Sequence, residues 1–134
     1  MRSKIFLVSA ITAFFLANSV MSQDKWDEVK ITSQAVSESV HMLAGMGGNI
    51  GVSVGPEGIL VIDDQYAPLA EKIAAAIGDI SKQPIKYIVN THYHGDHTGS
   101  NAYFTEVKGS TIFAHNNVRK RLAEKEDHTH AELP

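Results

Sequence analysis

Residues 85–101 read IKYIVNTHYHGDHTGSN. Ile85 to Asn90 follow Pro84 as a mostly apolar run and predict a strand of the buried type. Thr91 to Asn101 are polar and glycine-containing, and they place His92, His94, Asp96 and His97 within six positions. Imidazole and carboxylate suit zinc and similar divalent ions. Histidines two apart in an extended segment point the same way, so His92 and His94 can grip one ion. Asp96 and His97 are adjacent and diverge unless the chain turns, a freedom that Gly95 and Gly99 supply. The natural arrangement is two ions side by side, His92 and His94 on one, Asp96 and His97 on the other. Metals about 4 Å apart can activate a shared water and clamp a reacting group. A solvated, His-rich loop is the bland alternative, and four potential ligands in six positions directly after a strand argue against it.

Working upstream, Gly58 to Ile62 (GILVI) is a continuous apolar run, again a buried strand. Gly55-Pro56-Glu57-Gly58 is a turn by its chemistry, and Asn49 to Val54 (NIGVSV) is the strand before it. Val36 to Ala44 alternates loosely until Gly45, Gly47 and Gly48 break it, which completes an antiparallel meander. From Ala67 to Ile80 apolar residues recur at 69, 70, 73, 74, 77 and 80, a helical stripe with Pro68 in its first turn and Gly78 near its end. Downstream the pattern gives a short helix over 100–106, a strand at Thr111–Ala114 and a charged helix over 117–126. Strands followed by alternating helices and strands predict a mixed α/β layer with helices packed on a sheet. Chemistry in such sheets collects at the carboxyl ends of strands, where the segment after Asn90 lies.

The motif H-x-H-x-D-H, here His92-Tyr93-His94-Gly95-Asp96-His97, resembles that of the metallo-β-lactamase superfamily. GILVIDD (58–64), the helix after it, IKYIVN and the trailing TGSN look like that family's amino-terminal half, so the resemblance covers roughly Val36 to Arg121. It implies an α/β (α+β) fold, the four-layer αββα sandwich, of which this chain covers about the first half. It implies two zinc ions, the first on His92 and His94, the second on Asp96 and His97. Asp96 would be catalytic as well, orienting a zinc-bound hydroxide that attacks a carbonyl. Asp63 matches a position that supports the ligands by hydrogen bonding. A histidine at position 97 points to the branch with a histidine and aspartate second site, which includes one β-lactamase subclass, glyoxalase II-like thioesterases and lactonases.

The whole chain has 134 residues and a formal net charge of −3. Arg2 and Lys4, an apolar run from Ile5 to Ala17 and a polar stretch from Asn18 to Gln23 have the three-part build of a secretory signal. Thirteen helical residues span about 20 Å, too short for a hydrocarbon core of roughly 30 Å. Cleavage is expected after Ser22, with Ser19 as the alternative, leaving residues 23–134 as one domain exported to a periplasm or beyond. Such export favours a β-lactamase-like enzyme over a glyoxalase II. Without Arg2 and Lys4 the balance is ten basic against fifteen acidic residues, with no footprint for nucleic acid. The absence of cysteine excludes disulfides, iron–sulfur clusters, thiolate zinc sites and a cysteine nucleophile within the sequence.

Measured against the family, ligands are missing: no third histidine for the first zinc and no bridging aspartate or last histidine has a match before Pro134. A catalytic zinc has three protein ligands plus water. The expectation is a fragment of a longer gene product, its half-sandwich leaving one sheet face exposed. The rival, from another class, is a short non-catalytic zinc-binding or interaction module, possible as a homo-oligomer. His128 and His130 sit in a charged tail and are poor substitutes for the missing ligands; His115 reads as a cap or surface residue, and His41 as outward-facing on its strand. Arg119, Lys120 and Arg121 read as a solvated helix face. Gly45 to Gly51 (GMGGNIG) lacks the following helix or lysine of a phosphate loop. A simple turn and a mobile hairpin flanking the site fit it equally.

Overall fold

A computed structural model describes residues 25–129. The leader, His130 and the side chain of His128 lie outside the described set. Six strands form one sheet in sequence order: β1 (Thr32–Ala35), β2 (Val40–Ala44), β3 (Ile50–Gly55), β4 (Gly58–Ile62), β5 (Ile85–Asn90) and β6 (Thr111–Ala114). The first four are antiparallel neighbours, and β4, β5 and β6 run parallel. The parallel steps need crossovers. The first is a 3-10 turn, Ala67–Leu69, leading into α1 (Ala70–Ile80); the second holds α2 (Gly95–Thr98) and α3 (Asn101–Glu106); α4 (Asn116–Thr129) follows β6.

One difference from the sequence pattern lies at the start. Val36 to Ala44 is not one strand: β1 ends at Ala35, Ser37 turns the chain by accepting from the amides of Ser39 and Val40, and β2 begins at Val40. The short polar strand TSQA, exposed throughout, carries no apolar alternation and is invisible to a periodicity argument. His41 also differs. It pairs with buried Val52 and is half-buried on the helix side of the sheet, whereas Val40 faces outward.

The core is the seam between α1 and one face of the sheet. Leu69, Ile73 and Ile77, at helical spacing, pack on Leu43, Ile50, Val52, Ile59, Val61 and Ile88, and Phe104 of α3 closes the far end. The opposite face is open among the described residues: Ile62, Tyr87 and Phe113 are 40 to 51% exposed, with the Tyr87 and Phe113 rings edge-on at 5.7 Å.

Lys72 secures the lead-in. Its Nζ donates to the carbonyl oxygens of Trp26, Asp27 and Val29 at 2.9, 2.7 and 2.9 Å, holding the helical turn at 25–27 so that Trp26 stacks against Tyr66 at 5.2 Å. Lys72→Met keeps the aliphatic stem and removes three charge-assisted bonds. It is expected to cost about 1–2 kcal/mol, read as a lowered midpoint in urea unfolding.

Candidate metal centre

The parallel register sets Ile62 of β4 opposite Val89 of β5, so Asp63 and Thr91 leave adjacent strand ends together. Asp63 donates its amide to Val89 O at 2.9 Å and takes φ 62°, a conformation uncommon for a residue with a β-carbon. Its side chain, 7% exposed, accepts at both carboxylate oxygens. Thr91 N reaches Oδ1 at 2.8 Å; Thr91 Oγ1 and His97 Nδ1 reach Oδ2 at 2.8 and 2.7 Å.

This pattern assigns the tautomers of two histidines. An accepting carboxylate oxygen requires the proton on His97 Nδ1; in the neutral imidazole the lone pair is then on Nε2. The Thr91 hydroxyl proton is committed to Asp63, so a hydroxyl lone pair faces His92 Nδ1 at 3.1 Å. His92 therefore also carries its proton on Nδ1 and presents a bare Nε2. One carboxylate orients both rings, one directly and one through a threonine.

The remaining ligand candidates gather at the same place. The His92 ring lies 4.0 Å from that of His97 and 4.8 Å, edge-on, from that of His94, while Asp96 Oδ2 sits 3.3 Å from His97 Nε2. All four residues of the motif thus share one cluster, with His92 nearer to His97 than to His94. Among the described residues no set of three His, Cys, Asp or Glu side chains is arranged to hold a single metal ion. Pairs of donors are present.

The turn that brings them together is α2. His94 precedes it with extended backbone (φ −67°, ψ 148°), and His97 N closes onto His94 O at 3.0 Å. The His97 carbonyl is held from behind by Asn90 Nδ2 at 3.0 Å and by Asp64 N at 3.2 Å; Asn101 Nδ2 in turn donates to Asn90 Oδ1 at 2.9 Å. Gly99 is required for a reason other than freedom of φ. Its backbone is helical (φ −67°), but a β-carbon there would lie 2.6 Å from Gly95 O and 2.7 Å from Gln65 O. The last helix reaches the motif as well, for Arg121 lies 4.8 Å over the Tyr93 ring, whose centroid is 4.6 Å from that of His94. Exposed His115 accepts from Asn117 N at 3.2 Å, the helix-start cap expected of it.

Thr91, Asn90, Asp64 and Gln65 escaped the reading of the sequence. Their signal was there: three polar residues, Asp63-Asp64-Gln65, follow directly on a buried strand, and an asparagine ends the next one. Asp64 and Gln65 are fully buried. Burial pushes the Asp64 carboxyl up to about 7; the nearby Asp63 carboxylate adds to this, and the Ser100 amide, donating to Oδ1 at 3.0 Å, opposes it. Asp64 Oδ2 has no hydrogen-bond partner. A cleft of about 540 Å³ lies behind the turn, bounded by Asn90, Asn101, Phe113 and Arg119, and none of the four candidate ligands lines it.

One family model and three solved structures bear on this arrangement. A family model described as the Metallo-beta-lactamase superfamily matches residues 47–133. The structure is similar to that of the metallo-beta-lactamase FIM-1 from Pseudomonas aeruginosa in its mono-zinc form, with TM-score 0.64, 21% identity, and coverage of 72% of this chain and 46% of that one. It is similar to a Cronobacter sakazakii metallo-beta-lactamase at TM-score 0.66 and 21% identity, covering 76% and 40%. It is also similar to a subclass B3 metallo-beta-lactamase isolated from a soil metagenome library, at TM-score 0.62 and 26% identity, covering 71% and 36%. The match thus spans less than half the length of each of these three structures.

Proposed function

We propose, from the premise that this chain belongs to the metallo-beta-lactamase superfamily of hydrolases, that it forms one half of a zinc-dependent hydrolase site acting on a carbonyl substrate, a β-lactam first among them. A single observation supports the reading: the Asp63 carboxylate bonds His97 Nδ1 and the Thr91 hydroxyl that faces His92 Nδ1, so that in the neutral rings Nε2 of both is turned toward a cluster with His94 and Asp96. A histidine whose far nitrogen donates to a carboxylate or hydroxyl is the usual orientation of a metal ligand. The donor set fits zinc in kind, imidazole and carboxylate.

In number it fits two half-sites, His92 with His94 and Asp96 with His97. Each is completed, on this reading, by donors from polypeptide beyond the matched half. When bound, zinc supplies a nucleophile at neutral pH and polarises a carbonyl oxygen. The chain's own residues do the rest. Asp63 and Thr91 hold the ring protons away from the site. Asp96 keeps an accepting oxygen 3.3 Å from His97 Nε2, able to orient a water or hold its proton. The Asn90–Asn101 pair fixes the turn from behind.

Glyoxalase II-like thioester hydrolysis and lactone hydrolysis remain second readings, and a non-catalytic zinc-binding module the third. Export fits the basic start and apolar run of residues 1–22. No helix among the described residues is long and apolar enough to cross a membrane. The test is hydrolysis of a chromogenic β-lactam by the protein purified from its host, with and without a chelator. The expected result is zinc-dependent turnover, lost on His94→Ala. Zinc uptake without turnover of β-lactam, thioester or lactone selects the binding module, and equal turnover by parent and His94→Ala removes the zinc assignment.

A further inference from the structure

The glycine segment between β2 and β3 leans on the candidate metal centre. Gly48 lies so close to the His97 ring that a β-carbon there would fall 2.7 Å from Nε2 and 3.0 Å from Nδ1. Gly47, at φ 100°, meets Asp96 in the same way, its β-carbon position 2.8 Å from Asp96 Cβ. One residue holds this loop in place. Gln65 is fully buried, takes φ 56°, and donates from Nε2 to the Gly48 carbonyl. Its Oε1 has no hydrogen-bond partner, and Gly45 wraps over it so closely that a β-carbon would lie 2.8 Å away. A buried amide with one half unsatisfied, on a backbone at positive φ, calls for a reason beyond local packing. Asp63, also at positive φ, holds the opposite edge of the same imidazole at 2.7 Å.

We propose that Gln65 and Gly48 form a clamp for His97: Gln65 pins the glycine loop, and the loop confines the ring against Asp63 while adding no side-chain atom of its own beside Nε2. Gln65 is a positioning residue acting through Gly48, and the loop of residues 45–48 is a fixed wall of the site rather than a free flap. This rests on the reading of His97 as a metal ligand, and the test separates the two.

The experiment uses the full chain, ¹⁵N-labelled, with cobalt(II) as the metal probe. Gln65→Asn suits the positive φ, since asparagine tolerates it, but its amide is one methylene too short to reach Gly48 O. Gly48→Ala leaves Gln65 intact and crowds the ring directly. In the metal-free parent, His97 is expected to show one ring signal set with Nδ1 protonated. Either variant is expected to give a second His97 ring state and a roughly 10-fold loss of cobalt affinity, with the backbone amide spectrum otherwise preserved. The double variant should lose little beyond either single one, because the two residues act as a unit. Unchanged His97 ring signals in both variants overturn the clamp, whatever the metal does. A parent that takes up no cobalt overturns the metal reading alone, and the clamp is then decided by the ring signals.

Discussion

Asp63→Asn is expected to lower cobalt or zinc affinity toward the upper end of the roughly 10–100-fold range seen when a partner of metal-ligating histidines is removed. The reason lies in the donor count at one atom. Oδ2 accepts two protons, from Thr91 Oγ1 and His97 Nδ1. An amide can keep an oxygen for Thr91 N, but then a nitrogen faces both donors, and two donors cannot share a bond. The relief is for His97 to move its proton to Nε2, which removes the lone pair a metal needs, and for Thr91 to turn, which frees His92 as well. Asparagine keeps the size of the side chain and tolerates φ 62°, so the fold stays. Thr91→Val breaks only the arm toward His92 and is expected to cost about 10-fold. Cobalt titration followed in the visible spectrum checks both. Should Asp63→Asn bind cobalt within twofold of the parent, the relay does not set the ligands.

Asp64 gives the second large effect, on stability against pH. Its carboxyl has an ordinary value of 3.8 and is pushed up to about 7 in the fold, by burial first and by the Asp63 charge after it. Between these values the folded protein holds a proton that the unfolded chain has released, so stability falls as pH rises through that window. The favourable state is complete below pH 3.8, and above about 7 the full penalty is present. The penalty is on the order of 4 kcal/mol by the proton-binding difference. Asp64→Asn stays neutral throughout. Its second donor finds no partner where Oδ2 now has none, a constant cost of about 1–3 kcal/mol. The two stability curves should therefore cross: the parent more stable at pH 4, where little of its penalty has developed, and Asp64→Asn more stable at pH 8. Urea unfolding at a series of pH values measures the difference between them, which removes titrations common to both. Parallel curves would show that Asp64 is charged in the fold at all these pH values.

Much of the fold was legible because periodicity and turn chemistry are local. GILVI, IKYIVN and TIFA became β4, β5 and β6 at their expected bounds, and the apolar stripe of 67–80 became the helix that covers the sheet. The polar strand TSQA was not legible, since its place in the sheet comes from pairing with β2 and from no pattern of its own. The Gly45–Gly48 segment was readable as a break but not as a wall, because its contact with Asp96 and His97 joins positions some fifty residues apart.

The sequence by itself determined which residues are the candidate metal ligands. His92, His94, Asp96 and His97 follow a buried strand at a spacing that one turn of chain can gather, and residue type and short-range spacing are properties of the string. Only the tertiary structure decided how they are held. The parallel register of β4 and β5 sets Asp63 beside Thr91, and from that adjacency come the proton on Nδ1 of two histidines and the bare Nε2 of each. Packing likewise buried Asp64 and Gln65, the one moving a carboxyl's titration, the other pinning a glycine loop on His97. These are hydrogen bonds and desolvation between segments far apart in the chain, and they exist only once the strands have paired.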